Sequence, residues 1–413
     1  MTHYLNRRFS LPHFDNWKTP SFYYDILCNS SQQFKNEIYD IYFGKVFRYS
    51  YEDHEAYDIK QKLHEVSYGN VMGVEASDQQ VDYLFKIQSE FGIEISLTIN
   101  QLNIPVEIFY SKNDRVLKAF LDWLQGYYDR GLRSCTLANN HLMRLGILKK
   151  RFPKMKWKNT VNHQVSSAQQ VLDYIYLGYD VIQLDRSLNR NMDELKRIKQ
   201  VVENYNNRNS GNEIKTCMLV WENCLPSCPF KREHDDLQIY FKDIVYWQSN
   251  PGLITCRKWR DNLGKYAIPR MGANCFWISA DTFREYAGLV DIFKHSGRLV
   301  DSINMQGQGE VQYGWQLKNF PEKLNGVYAA ESFSEIINNG LEPLHLWYPI
   351  PGVSSIFQKD IKYMKHSLEK NKFTIDKMKN LEQRLKTCRN QCYQCHLCER
   401  TFGLPEIDSM IEI

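Results

Sequence analysis

Eight short apolar runs, most of them separated by amphipathic helical stretches, constrain this chain more than any other feature. The candidate strands are Phe22–Cys28, Tyr39–Phe43, Ile93–Asn100, Ser134–Ala138, Trp157–His163, Asp180–Asp185, Ile214–Trp221 and Val290–Lys294. Between them lie helical patterns such as Val116–Tyr128, Ala168–Leu177 and Met192–Tyr205. In the last of these Met192, Leu195, Ile198 and Val202 recur at helical spacing. Strands alternating with helices build a parallel sheet. Eight of them within 413 residues close most economically into an α/β fold of the (β/α)8 TIM-like barrel type. An open doubly wound sheet is the competing architecture. No Gly-rich turn follows any strand, which removes the usual dinucleotide site.

Two segments depart from the repeat and set the expected domains, a barrel over residues 1–345 and a tail over 346–413. Residues 222–289 form an insertion before the last strand, far longer than a normal connection, which marks it as functional. In the tail, Phe357, Ile361, Met364, Leu368, Ile375, Met378 and Leu385 follow a seven-residue repeat interrupted by Asn371 and Glu382. That pattern is an amphipathic helix or helix pair, docking on the barrel or on a partner protein. The net charge of +4 is too small to announce nucleic acid, yet residues 355–400 hold eleven Lys or Arg against five Asp or Glu. Those lysines either solvate an exposed face or bring an RNA substrate to the barrel by phosphate contact. Lys359, Lys362, Lys365, Lys370 and Lys372 would carry the second role.

Eight of the eleven cysteines are spaced like metal ligands. The start, Met1-Thr-His-Tyr-Leu-Asn-Arg-Arg, has no apolar run behind it, and no stretch reaches the roughly 18 apolar residues of a membrane span. The expectation is a cytoplasmic chain without a membrane segment, whose thiols stay reduced and serve as ligands rather than bridges. Cys224 and Cys228 flank a Pro-containing turn in the insertion, and Cys256 and Cys275 complete four thiolates there. The set suits a 4Fe-4S cluster and also tetrahedral zinc, and the absence of paired two-residue knuckles favours iron. Cys388, Cys392, Cys395 and Cys398 form a second set within eleven residues, for a second 4Fe-4S cluster or zinc. Cys28, Cys135 and Cys217 lie inside strand patterns and read as core.

In a barrel, reactive groups belong at the C-terminal ends of strands. Asn100, Asn139, His163, Asp185, Arg186, Glu222, Asn223 and Lys294 occupy such places. A lone His after a strand, as His163 is, is more often a hydrogen-bonded structural residue, and Asp185 with Arg186 is equally a salt-linked strand end. No His-Glu-x-x-His or Gly-x-Ser-x-Gly appears, since His64-Glu65 has Tyr68 at the required fourth position.

Three stretches resemble the collagenase-like peptidase family U-32. The first is Gly178-Tyr-Asp-Val-Ile-Gln-Leu-Asp-Arg-Ser-Leu-Asn-Arg with the helix opening Met192-Asp-Glu-Leu. The second is Leu219-Val-Trp-Glu-Asn-Cys-Leu-Pro-Ser-Cys-Pro-Phe-Lys-Arg-Glu-His, and the third is Ile278-Ser-Ala-Asp leading to Phe293-Lys-His-Ser-Gly-Arg298. The resemblance covers roughly residues 20–300. It implies a barrel with a cluster held by four cysteines after the penultimate strand, and a kinship with oxygen-independent hydroxylation proteins as well as peptidases. The candidate catalytic group becomes His163, Asp185, Arg186, Glu222, Lys294 and Arg298, acting on a small molecule or RNA. This chain departs from the family in placing Cys228 four rather than seven residues after Cys224, and in carrying the tail cysteines.

Overall fold

A computed structural model describes residues 6–13, 20–53, 62–70, 75–209, 211–220, 231, 280–295, 322–324, 327–332, 380, 381, 383–389 and 391–401. Among the described residues, ten strands fall in the first three quarters of the chain. They are β1 (Phe9–Pro12), β2 (Ile38–Gly44), β3 (Val46–Asp53), β4 (Lys62–Gly69), β5 (Glu94–Ile99), β6 (Ser134–Leu137), β7 (Lys156–Lys158), β8 (Val181–Leu184), β9 (Lys215–Val220) and β10 (Ile292–His295). Eight of them close a barrel in the order β1-β10-β9-β8-β7-β6-β5-β2. Every neighbouring pair is parallel. Among the described residues no helix is long and apolar enough to cross a membrane.

The count of eight agrees with the sequence, but the first member does not. Phe22–Cys28 is not a strand; it is most of the helix Phe22–Asn29, and its buried residues Tyr23, Ile26 and Leu27 follow helical rather than alternating spacing. The first barrel strand is instead β1, four wholly buried residues bonded to β2 on one side and β10 on the other. A second difference is the antiparallel hairpin β3–β4, paired from Val46↔Gly69 to Asp53↔Lys62, which leaves the barrel directly after β2. The third is β7. The run Trp157–His163 gives only a three-residue strand, because Thr160 accepts from Asn162 N and starts a 3-10 turn over Val161–His163. Sheet bonding continues through a side chain: Asn159 Oδ1 accepts from Gln183 N, and Asn159 Nδ2 donates to Gln183 O at 3.1 Å.

Alternation sorts the two faces of the barrel wall. Ile95, Leu97 and Ile99 of β5 join the core beneath the outer helices, with Val81, Leu84, Ile87, Phe120 and Leu124. The intervening Ser96 and Thr98 are buried on the other face, where Ser96 accepts from Ser134 Oγ at 3.0 Å. Local signals hold the helices in place. Ser77 and Gln80 form a reciprocal capping box at the start of Asp78–Phe91, and left-handed Gly92 (φ 65°) ends that helix and turns the chain into β5.

The lumen is polar. Lys158 Nζ donates to Asp40 Oδ2, and Ser10 Oγ donates to Asp40 Oδ1 at 2.5 Å. In the sheet β5 and β6 separate β2 from β7, so the ion pair crosses the interior. Asp40 is wholly buried and Lys158 nearly so. Lys294 of β10 similarly donates to Gln183 Oε1 of β8 at 3.0 Å across β9, and lies 4.3 Å from the Tyr42 ring centre. A buried ion pair is far costlier to break than to replace by well-packed apolar groups. Lys158→Met should therefore lower stability by about 3–5 kcal/mol, with most of that recovered when Asp40→Asn is added. Urea denaturation of the two variants reads this, and an unchanged midpoint in Lys158→Met contradicts a pair that spans the lumen.

Candidate metal centre at the barrel mouth

Parallel strands end on one face, so the loops that follow them share one mouth. Beyond β8, Asp185 caps the 3-10 turn Arg186–Arg190 by accepting from Ser187 N at 2.9 Å. That turn is tied down on two further sides. Asn189 Nδ2 donates to Leu219 O near the end of β9 at 2.9 Å, and Tyr286 Oη, from the helix Ala280–Ala287, donates to Asn189 O at 2.9 Å. Asn189 and Arg190 are both buried.

The C-terminal tail docks on this same turn. Leu381 and Leu385 are buried, and Lys386 Nζ donates to both carboxylate oxygens of Glu285 at 2.8 Å. Met192 N donates to Lys386 O at 3.2 Å, and Asn191 bridges Thr387 in antiparallel fashion. The next residue is Cys388, whose Sγ accepts from Arg190 Nη1 at 3.7 Å. Cys392 and Cys395 then open and close a one-turn helix. His396 ends that turn in the left-handed region (φ 46°), breaking the chain's direction before Cys398 in the helix Leu397–Thr401. His396 and Glu399 are buried beside these thiols. Burial pushes the Cys398 thiol up to about 12; Arg190 opposes this, and Glu399, Cys392 and Cys388 add to it.

In kind and number the tail donors fit a thiolate metal centre, with four sulfurs in eleven residues, a left-handed break between them and a cation against one. Among the described residues no group of three or more His, Cys, Asp or Glu side chains is closed around a metal position. Binding at the tail therefore requires the thiols to draw together. Cys224, Cys228, Cys256, Cys275, Glu222 and Arg298 lie outside the described residues, as do Lys359, Lys362, Lys365, Lys370 and Lys372.

The remaining strand-end residues separate into different places. Asp185 caps its own turn, and Asn139 caps the helix Asn140–Arg144 by accepting from Leu142 N at 2.8 Å. Lys294 reaches into the lumen. His163 stands at the mouth with Nε2 against Ala138 O. A carbonyl only accepts, so Nε2 carries the proton and Nδ1 keeps its lone pair. Among the described residues Nδ1 has no hydrogen-bond partner, and the ring packs on Tyr174 and Tyr179 at 5.3 and 6.4 Å. His163 is thus a fixed neutral imidazole, pushed down to about 4 by burial against the opposing Ala138 bond.

Asp40, Lys158 and Arg190 were missed from sequence. The signal for the first two was a charge inside an otherwise apolar or aromatic strand run, Tyr39-Asp-Ile and Lys156-Trp-Lys; Arg190 gave none. Cys135 and Cys217 are core thiols, as expected, and burial pushes Cys217 up to about 12. Cys28 is not core: it is exposed, because its segment is a helix.

No protein-family model matches the chain, and no curated protein is similar to it. Among solved structures it is similar to the U32 peptidase Mk0906, at 15% identity and a TM-score of 0.39 over 54% of this chain and 77% of that one. At that level of likeness the barrel's own topology, rather than the neighbour, is the ground for the fold.

The neutral state of His163 gives a pH dependence with a definite sign. Its folded value lies below the ordinary 6.5, so the unfolded chain takes up the proton first as pH falls. Above pH 6.5 the residue costs nothing; between 6.5 and about 4 it removes up to about 3 kcal/mol of stability. His163→Gln should flatten that acid limb when unfolding midpoints are measured from pH 7 to 4. An equally steep limb in the variant contradicts a buried neutral imidazole.

Proposed function

We propose that this chain is a metal-cluster-binding barrel protein of the U-32 peptidase-like kind. In this reading its cysteines hold one 4Fe-4S cluster at the insertion and a second cluster or zinc at the tail. The barrel mouth carries out a redox or oxygen-independent hydroxylation-type modification. The observation that carries the reading is the docking of the segment Lys386–Cys388, which leads into Cys392, Cys395 and Cys398, on the turn after β8, with buried Arg190 against Cys388. The same turn is bonded to the end of β9, two residues before the insertion that bears the other four cysteines.

When bound, a four-iron cluster supplies one-electron transfer. The chain's own residues do the rest. His163, buried and neutral, stiffens the mouth, and the Lys294–Gln183 bond orders the lumen beneath the place where a substrate would sit. That substrate is a small molecule, or RNA brought by the basic stretch 355–400. A hydrolase needs a nucleophile beside a base. His163 instead turns Nε2 to Ala138 O, and Cys28 sits on the helix Phe22–Asn29, so nothing described favours the peptidase alternative.

Anaerobically purified protein should show a broad absorbance near about 400 nm and about four to eight irons per chain. Truncation after Leu385 should remove the tail's share and leave the barrel folded. Protein with neither iron nor zinc sinks the reading. Zinc alone leaves a non-catalytic, metal-stabilised interaction subunit in its place.

A further inference from the structure

We infer that Arg190 is the charge partner of the metal centre at the tail cysteines, and that its turn couples metal binding there to the mouth of the barrel. This rests on the tail thiols binding metal, as proposed above.

The first half follows from charge. Four thiolates around one divalent ion carry a net negative charge, and so does a four-iron cluster with four thiolates. A buried anion needs a compensating group. The chain places one of its least exposed cations there: Arg190 is 2% exposed and Nη1 is 3.7 Å from Cys388 Sγ. A guanidinium remains charged at any working pH and offers several N–H donors in a fixed fork, so it can reach more than one sulfur as the thiols close. N–H donors to ligand sulfurs also tune the metal they hold.

The second half follows from connectivity. Three consecutive residues tie β9 and the helix Ala280–Ala287 to the tail. Asn189 holds Leu219 O of β9 and accepts from Tyr286, Arg190 holds Cys388, and Asn191 bridges Thr387. Such a stretch has no slack. Drawing Cys388 toward a metal loads Arg190, and through its neighbours the end of β9, where the insertion begins.

The test uses the full chain loaded either with Zn2+ alone in air or with ferrous iron and sulfide under anaerobic conditions. Cys388→Ser defines the tail's share of bound metal. Arg190→Gln should then release that share to a chelator about 10- to 100-fold faster, and Arg190→Lys, which keeps the charge but not the fork, should fall between. Equal release from wild type and Arg190→Gln overturns the inference alone. Unchanged metal content in Cys388→Ser, with either metal, instead removes the reading beneath it, and the inference with it. Amide exchange of the wild-type chain needs no variant that must fold. Loading should slow exchange in residues 186–192 and 217–220 as well as in 386–401. Protection confined to the tail contradicts the coupling.

Discussion

The Asp40–Lys158 pair is the constraint on which the barrel's interior depends. A parallel barrel is usually filled by branched apolar side chains, whereas here a charge from β2 meets its counter-ion from β7 across the lumen. Neither group tolerates burial without the other, so the strands that carry them are fixed in register relative to one another. Ser10, Gln183, Thr136 and Lys294 extend the hydrogen bonding around the wall. What results is a lumen whose polar groups are already aimed, rather than an apolar plug. The mouth above it inherits that order.

At the mouth the decisive element is small. The turn Arg186–Arg190 begins with an Asp185 cap and ends against Cys388, having bonded to β9 and to Tyr286 on the way. The tail is thereby part of the barrel's rim, held by the Lys386–Glu285 pair and by the Asn191–Thr387 bridge. A metal centre there would lie beside the strand end from which the insertion departs.

Much of the architecture was legible because the signals were periodic. Strands such as Ile93–Asn100 and Asp180–Asp185 announced themselves by length and composition, and the number of barrel strands followed. What failed was short or ambiguous. Phe22–Cys28 is apolar enough for either period, and burial of Tyr23, Ile26 and Leu27 decided for helix; Phe9–Pro12 is four residues long and gave no signal to compete with it. The spacing of the tail cysteines could be read directly, since it is a property of neighbouring residues alone. Arg190 and the Asp40–Lys158 pair could not, because their partners are 198 and 118 residues away and only the closed fold brings them together.

We propose that the tail thiols hold a metal beside Arg190 on the rim of the barrel. Anomalous diffraction from crystals of anaerobically purified protein, recorded on both sides of the iron and zinc absorption edges, tests it most directly. The expected result is a peak about 2.3 Å from the sulfurs of Cys388, Cys392, Cys395 and Cys398, next to the Arg190 guanidinium. Metal bound in the crystal with no peak at these four sulfurs, or four sulfurs turned away from Arg190, would contradict it.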